Sequence, residues 1–318
     1  MQFVDFHCDT LMRAFLQKRT SVDDFPEAMV DAQRLVAGDA LAQWFAIYLR
    51  PESEMPFGVS DEAYIDGCLE IFHNTITESS ILAPAYGAAE VLTNQKNGKV
   101  SALLSFEDGR AVTSIERLEC YYAQGLRMIG LTWNGANCLA HPNSADAAKT
   151  ALGLTDHGRD VVRRMNELGM LVDVSHLSDG GFHEVADIAK KPFIASHSNC
   201  RSLADHPRNL TDEMIKILAD QGGIMGLNLC IPFLETGATR STLERMSVHV
   251  RHMINTGGID CAAIGADLDG IDGDLEIPTC AHIPLLFDQL HKDGLSDDAL
   301  EKIGWRNALR VMSAALGG

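Results

Sequence analysis

The chain has 318 residues, of which 46% are hydrophobic and 22% charged, and its 44 acidic side chains outnumber 26 basic ones for a net charge of −18. That apolar content supplies a sizeable core and excludes an intrinsically disordered chain. The negative balance excludes a protein that holds nucleic acid on a general basic face.

The length fits one large α/β domain or two ordinary ones. The N-terminus, Met1-Gln2-Phe3-Val4-Asp5, has no basic region followed by an apolar stretch, and no apolar run reaches the ~18 residues of a membrane span. The expectation is a soluble, cytoplasmic protein. Its eight cysteines form no CxxC pair and no cluster, so they read as buried thiols in a reducing compartment rather than a disulfide framework.

In chain order, short and nearly continuous apolar runs occur at 2–9, 42–49, 99–107, 126–133, 169–176, 191–198, 222–229 and 261–268. Each has strand length and the composition of a strand buried on both faces. The stretches 20–39 and 51–60 read as insertions. Helical spacing falls between the later runs, at 156–168, 179–189 and 211–220. The first of these places Val161, Val162, Met165 and Leu168 on one side; the last starts with Thr211 as an N-cap before Met214, Ile215 and Leu218. Alternating strands and helices predict a parallel sheet wrapped by helices, and eight repeats predict an eight-stranded β/α (TIM) barrel forming one domain over 1–318. A doubly wound open sheet is the alternative. No glycine-rich phosphate loop follows the first run.

Five of the runs carry a metal-capable side chain at the C-terminal end: His7 and Asp9, Glu107, His176, His197, and Asp267. In a barrel those ends form the active-site face. Alternation along a strand lets His7 and Asp9 point into the mouth while Cys8 points away. It puts His176 in phase with Val172 and Val174, His197 with Phe193 and Ala195, and Asp267 with Ala263 and Gly265. A single such residue is more commonly a hydrogen-bonded structural group than a ligand. Repetition at one end of five strands carries the metal reading. Three His, two Asp and one Glu exceed the needs of one tetrahedral zinc and suit two metals sharing a carboxylate. His73, His183, His249, His252 and His291 lie in helical segments and read as solvated.

The stretches DFHCDTL from Asp5, SFEDG from Ser105, LTWNGANCLA from Leu131, DVSHLSD from Asp173, ASHSNCRSLADHPRN from Ala195, IGADLDG from Ile264 and GWRNALRVM from Gly304 give the chain a further identity. In their order and spacing it resembles the renal (membrane) dipeptidase family of the amidohydrolase superfamily. The resemblance implies two zinc ions per chain, one held by His7 and Asp9 and the other by His176 and His197, with Glu107 bridging. It implies that Asp267 handles the proton and that Arg208 binds the substrate's terminal carboxylate. It also implies a dipeptide substrate, L-D dipeptides included, and suggests a homodimer. Where the family has a histidine that contacts the substrate carbonyl, this chain has Trp133, followed by Asn134; both are candidate substrate-binding residues.

Two other readings stand beside this one. Another binuclear amidohydrolase would act on a lactone, cyclic amide or phosphotriester, yet many of those bridge their metals with a modified lysine on the fourth strand, and 126–133 has none. A non-catalytic metal-binding barrel would explain Trp133, but not an intact ligand set with Asp267.

Overall fold

The computed structural model describes residues 1–317. Eight parallel strands form the barrel: β1 (Phe3–Asp5), β2 (Ala40–Tyr48), β3 (Val100–Glu107), β4 (Leu126–Gly130), β5 (Leu171–Asp173), β6 (Ile194–Ala195), β7 (Ile224–Leu227) and β8 (Ala262–Ile264). Around the sheet β1 lies between β2 and β8, and β3 to β8 follow one another in sequence order. The ring closes because β2 and β3 pair from Ala42 with Ser101 through Tyr48 with Glu107. That closure decides between the barrel and the open sheet in favour of the barrel.

Val4, Trp44, Leu103, Met128, Leu171, Ile194, Ile224 and Ala263, one residue from each strand, fall in a single buried cluster. This is the packed interior expected of a β/α barrel. The helix Asn307–Leu316 adds Ala308, Leu309, Val311, Met312 and Ala315 to the same cluster and so stoppers the end opposite the mouth. The outward faces of the strands pack against the helices in a second, larger cluster.

The helices form where the sequence placed them. Thr155 accepts the Gly158 N–H at the start of Asp156–Leu168, and Gly169 ends that helix with a left-handed φ of 76°. Thr211 accepts the Met214 N–H at the start of Asp212–Asp220, a cap of the kind whose loss costs about 1 kcal/mol. Among the described residues no helix is long and apolar enough to cross a membrane.

All the strands but β2 are shorter than their apolar runs. The run 191–198 keeps only Ile194–Ala195 in the ladder, and 169–176 only Leu171–Asp173. The missing residues include the functional ends, where the chain leaves the sheet to aim side chains inward. A further strand, Leu82–Pro84, pairs with the lower half of β3; too short and too partly exposed to give an apolar run, it carries no sequence signal. The stretch 20–39 is an anchored insertion, with Val22, Phe25 and Val30 in the core and the N–H groups of Met29 and Val30 donated to the Asp269 carboxylate.

His249 differs from the sequence expectation. It is fully buried, its Nδ1 accepts the Cys200 N–H at 3.2 Å, and its Nε2–H donates to the Leu234 carbonyl at 2.8 Å. Burial pulls its pKa down to about 4. Helical spacing alone does not reveal that its face turns inward.

Candidate metal centre

The residues at the strand ends converge in one place, and all six are buried. Glu107 is the last residue of β3 and occupies the middle. Its Oε2 lies 3.5 Å from His7 Nε2, while its Oε1 lies 2.8 Å from His176 Nε2 and 3.4 Å from His197 Nε2. One carboxylate thus presents a different oxygen to each of two histidine sets. His7 Nε2 also lies 3.5 Å from Asp9 Oδ2 and 3.8 Å from Asp267 Oδ1. Three triads have ligand-capable atoms within 4.8 Å of one another: His7, Asp9 and Glu107; Glu107, His176 and His197; and His7, His197 and Asp267.

Local backbone explains how these side chains arrive. His7 and Asp9 reach the mouth together, and Cys8 turns away, its Sγ 3.5 Å from the Trp44 carbonyl oxygen in the outer core. Asp267 lies in phase with Ala263 of the barrel interior. For His176 and His197 the alternation argument fails. Val172, Val174, Phe193 and Ala195, their supposed in-phase partners, all pack in the outer cluster, whereas Leu171 and Ile194 point inward. Both histidines enter the mouth because their strands have already ended. His176 does so in a left-handed conformation with φ 68°, and Asp267 has φ 62°, a region that side-chain-bearing residues seldom occupy. Gly270 lets the following loop close over the site: a Cβ there would lie 2.0 Å from Asp9 Oδ2 and 2.7 Å from Asp267 Oδ1.

The donor set fits metal ions. His7 Nε2, Asp9 Oδ1 and His197 Nε2 are buried atoms without a hydrogen-bond partner, an arrangement that costs stability unless something else satisfies them. Burial, then the charges of Arg208 and His7, holds His176 far below the usual histidine range; burial, His7 and Arg208 do the same for His197. Both are therefore neutral imidazoles, the form that binds metal. Burial would lower the pKa of His7 too, but Glu107 and Asp9 outweigh it and raise it well above the ordinary value. Burial pushes Glu107 and Asp267 upward, and each is pushed further by Asp9. Three buried carboxylates around one point thus repel each other, and a divalent cation relieves that repulsion. Glu107 is shared by two of the triads.

The cluster lies in a cavity of about 820 Å³. Arg208 lines it and is buried, with Nη1 donating to Ser198 Oγ at 3.3 Å and Nη2 to the His197 carbonyl at 3.2 Å. Its Nε has no partner and it forms no ion pair among the described residues. Its guanidinium also lies 5.4 Å from the centroid of the Phe233 ring. Trp133 forms a wall, its ring centroid 5.1 Å from that of Tyr48 and 6.0 Å from that of His176. Asn134 sits at the exposed rim, and its Oδ1 accepts the Nδ1–H of His176 at 3.0 Å. That bond leaves Nε2 free to face Glu107 and ties Asn134 to an imidazole.

Sequence reasoning missed Asn228, whose Nδ2 donates to Asp267 Oδ2 at 2.8 Å. A signal existed: it is a polar residue directly after β7, at the same end as the other site residues. Tyr48 and Arg50 also line the cavity. Nothing in their pattern separates them from an ordinary strand end.

Comparison with known proteins comes to the same place. The family model described as membrane dipeptidase (peptidase family M19) matches residues 1–316. A dipeptidase from Clonostachys rogersoniana, verJ, is 32% identical over 251 residues, covering 77% of this chain and 63% of that protein. Matches to curated relatives span between 48% and 74% of those proteins' own lengths. Among solved structures, the dipeptidase AC, an M19 metallopeptidase, superposes with a TM-score of 0.88 at 23% identity, covering 100% of this chain and 99% of that one. A metallopeptidase from Rhodobacter sphaeroides, bound to a phosphinate mimic of the dipeptide L-Ala-D-Ala, superposes with a TM-score of 0.87 at 22% identity, covering 99% of each chain.

Proposed function

The chain belongs to the membrane dipeptidase family, the M19 metallopeptidases, and from that premise we propose that it hydrolyses the peptide bond of dipeptides with a pair of zinc ions, L-D dipeptides included. The observation that carries this reading is the Glu107 carboxylate, offering Oε2 to His7 and Oε1 to His176 and His197. His7, Asp9 and Glu107 would hold one metal, and Glu107, His176 and His197 the other. When bound, such a pair supplies Lewis acidity and a water whose pKa is lowered toward neutrality.

The protein's own groups do the rest. Asp267 is buried, and Asn228 fixes its Oδ2, so that Oδ1 faces the cluster. Oδ1 takes a proton from the attacking water and returns it to the leaving amine. Burial raises the pKa of Asp267, and bound cations beside it would lower it again. Arg208 binds the free C-terminal carboxylate through its planar fork and so sets the scissile bond over Glu107. The Trp133–Tyr48 wall excludes water on one side. The binding of a mimic of L-Ala-D-Ala by the Rhodobacter sphaeroides relative supports acceptance of a D-residue on the C-terminal side. A lactone or cyclic amide would leave Arg208 without an anion, and no comparison favours that alternative.

The role of Arg208 is tested with a dipeptide and its C-terminal amide. The protein is expected to hydrolyse the free acid and to act poorly on the amide. Arg208→Met should raise KM for the free acid roughly 10–100-fold, the value of a lost charge-assisted hydrogen bond at 1.5–3 kcal/mol, and should abolish the discrimination. Equal turnover of acid and amide by the unaltered protein would remove Arg208 from substrate binding.

A further inference from the structure

Asp173, the last residue of β5, is a buried carboxylate that the reaction above does not use, and it forms no ion pair among the described residues. Its bonds run to Ser175, two residues on in its own segment, and to Ser196, directly after β6. Oδ1 accepts the N–H groups of Ser175 and Ser196, each at 2.9 Å, and Oδ2 accepts the Ser196 hydroxyl at 2.5 Å. Ser196 Oγ lies 2.7 Å from His197 Nδ1. Ser175 Oγ lies 3.3 Å from Ser196 Oγ and accepts the His197 N–H at 3.1 Å.

Counting protons gives this chain of bonds a direction. A serine hydroxyl has one hydrogen and can accept two. Asp173, an acceptor only when ionised, takes the hydrogen of Ser196. Toward His197, Ser196 must then be the acceptor, so Nδ1 carries the imidazole proton and Nε2 keeps its lone pair. That Nε2 is the atom which is buried without a partner and faces Glu107 Oε1 at 3.4 Å.

We infer that Asp173 and Ser196 are positioning residues that fix the tautomer and the ring orientation of His197, so that Nε2 is presented ready to bind a metal. The part of this inference that concerns the metal rests on the binuclear reading above; the tautomer does not. Neighbouring carboxylates and hydroxyls that orient a ligating histidine typically contribute 10–100-fold to metal affinity. An Asp173→Asn substitution tests the direction specifically. With its carbonyl oxygen kept on the two backbone N–H groups, the new amide must donate to Ser196 Oγ. The serine hydrogen then turns toward His197 Nδ1, and the imidazole proton moves to Nε2, where it blocks a metal.

The experiment has two readouts on the full chain. The first is the 15N spectrum of the histidine-labelled, metal-free protein. A protonated Nδ1 and bare Nε2 at His197 are expected in the unaltered chain, and the reverse in Asp173→Asn. The second is zinc affinity by competition with a chromophoric chelator, expected to fall 10–100-fold at one of two sites. Ser196→Ala keeps the backbone bonds of Asp173 and serves if Asp173→Asn does not fold; it should give a mixture of both tautomers and weaken the same site. A His197 signal identical in the unaltered chain and in either folded variant would overturn the inference. Failure of the unaltered chain to bind zinc would count against the binuclear reading, and the tautomer readout would still decide the role of Asp173.

Discussion

Asp267→Asn is expected to lower kcat by roughly 10²–10⁴-fold, the usual contribution of a positioned general acid–base, while the protein keeps its fold and its metals. The substitution conserves volume and leaves a group to meet Asn228 Nδ2, which now holds Oδ2 at 2.8 Å. It removes the ability of the side chain to take up and return a proton. The metal content should persist because the other five residues still supply two complete triads, His7–Asp9–Glu107 and Glu107–His176–His197. Metal analysis beside steady-state kinetics checks both halves. Loss of metal with loss of activity would recast Asp267 as chiefly a ligand, a role its 3.8 Å approach to His7 Nε2 also permits.

Glu107→Gln should weaken metal binding at both positions together, on the order of 10³-fold, in line with the 3–5 kcal/mol that follows removal of one partner from a buried charged set. His7→Ala provides the contrast: it takes away one ligand of a single triad, so one metal should remain. The asymmetry follows from geometry, since Glu107 is the shared member of two triads and each of its oxygens faces a different histidine set. Zinc titration followed by isothermal calorimetry separates the outcomes. Loss of only one metal in Glu107→Gln would show that the carboxylate belongs to one site, and the bridging arrangement would fail.

The identities of the candidate ligands were legible in the sequence because metal-capable residues are conspicuous at the ends of apolar runs. Their orientation was legible only where backbone pairing continues past the strand end, as the Cys8–Leu268 bridge makes it do beside His7, Asp9 and Asp267. His7 and Asp9 stay two residues apart on one side, and Asp267 stays in phase with Ala263. His176 and His197 follow strands that end at Asp173 and Ala195, and beyond a strand end the period of two no longer governs direction. The left-handed turn at His176 has no counterpart in a residue pattern, because glycine is the usual marker of such a turn. The surrounding shell was less legible still. Asn228 reaches Asp267, and Asp173 reaches Ser196, through hydrogen bonds between the ends of different strands, and no spacing along one segment encodes such a contact. The fold itself was readable from eight apolar runs, but closure depended on the pairing of β2 with β3, and that is a property of the assembled sheet.

The most direct test of the account is hydrolysis of an L-L and L-D dipeptide panel by one preparation of protein in three states: chelator-treated, reconstituted with one equivalent of zinc, and reconstituted with two. The account predicts no turnover in the chelated protein and full turnover, on free-acid dipeptides, only as the second equivalent is bound. Turnover that survives complete metal removal, or a fully zinc-loaded protein that cleaves no dipeptide of either stereochemistry, would contradict it.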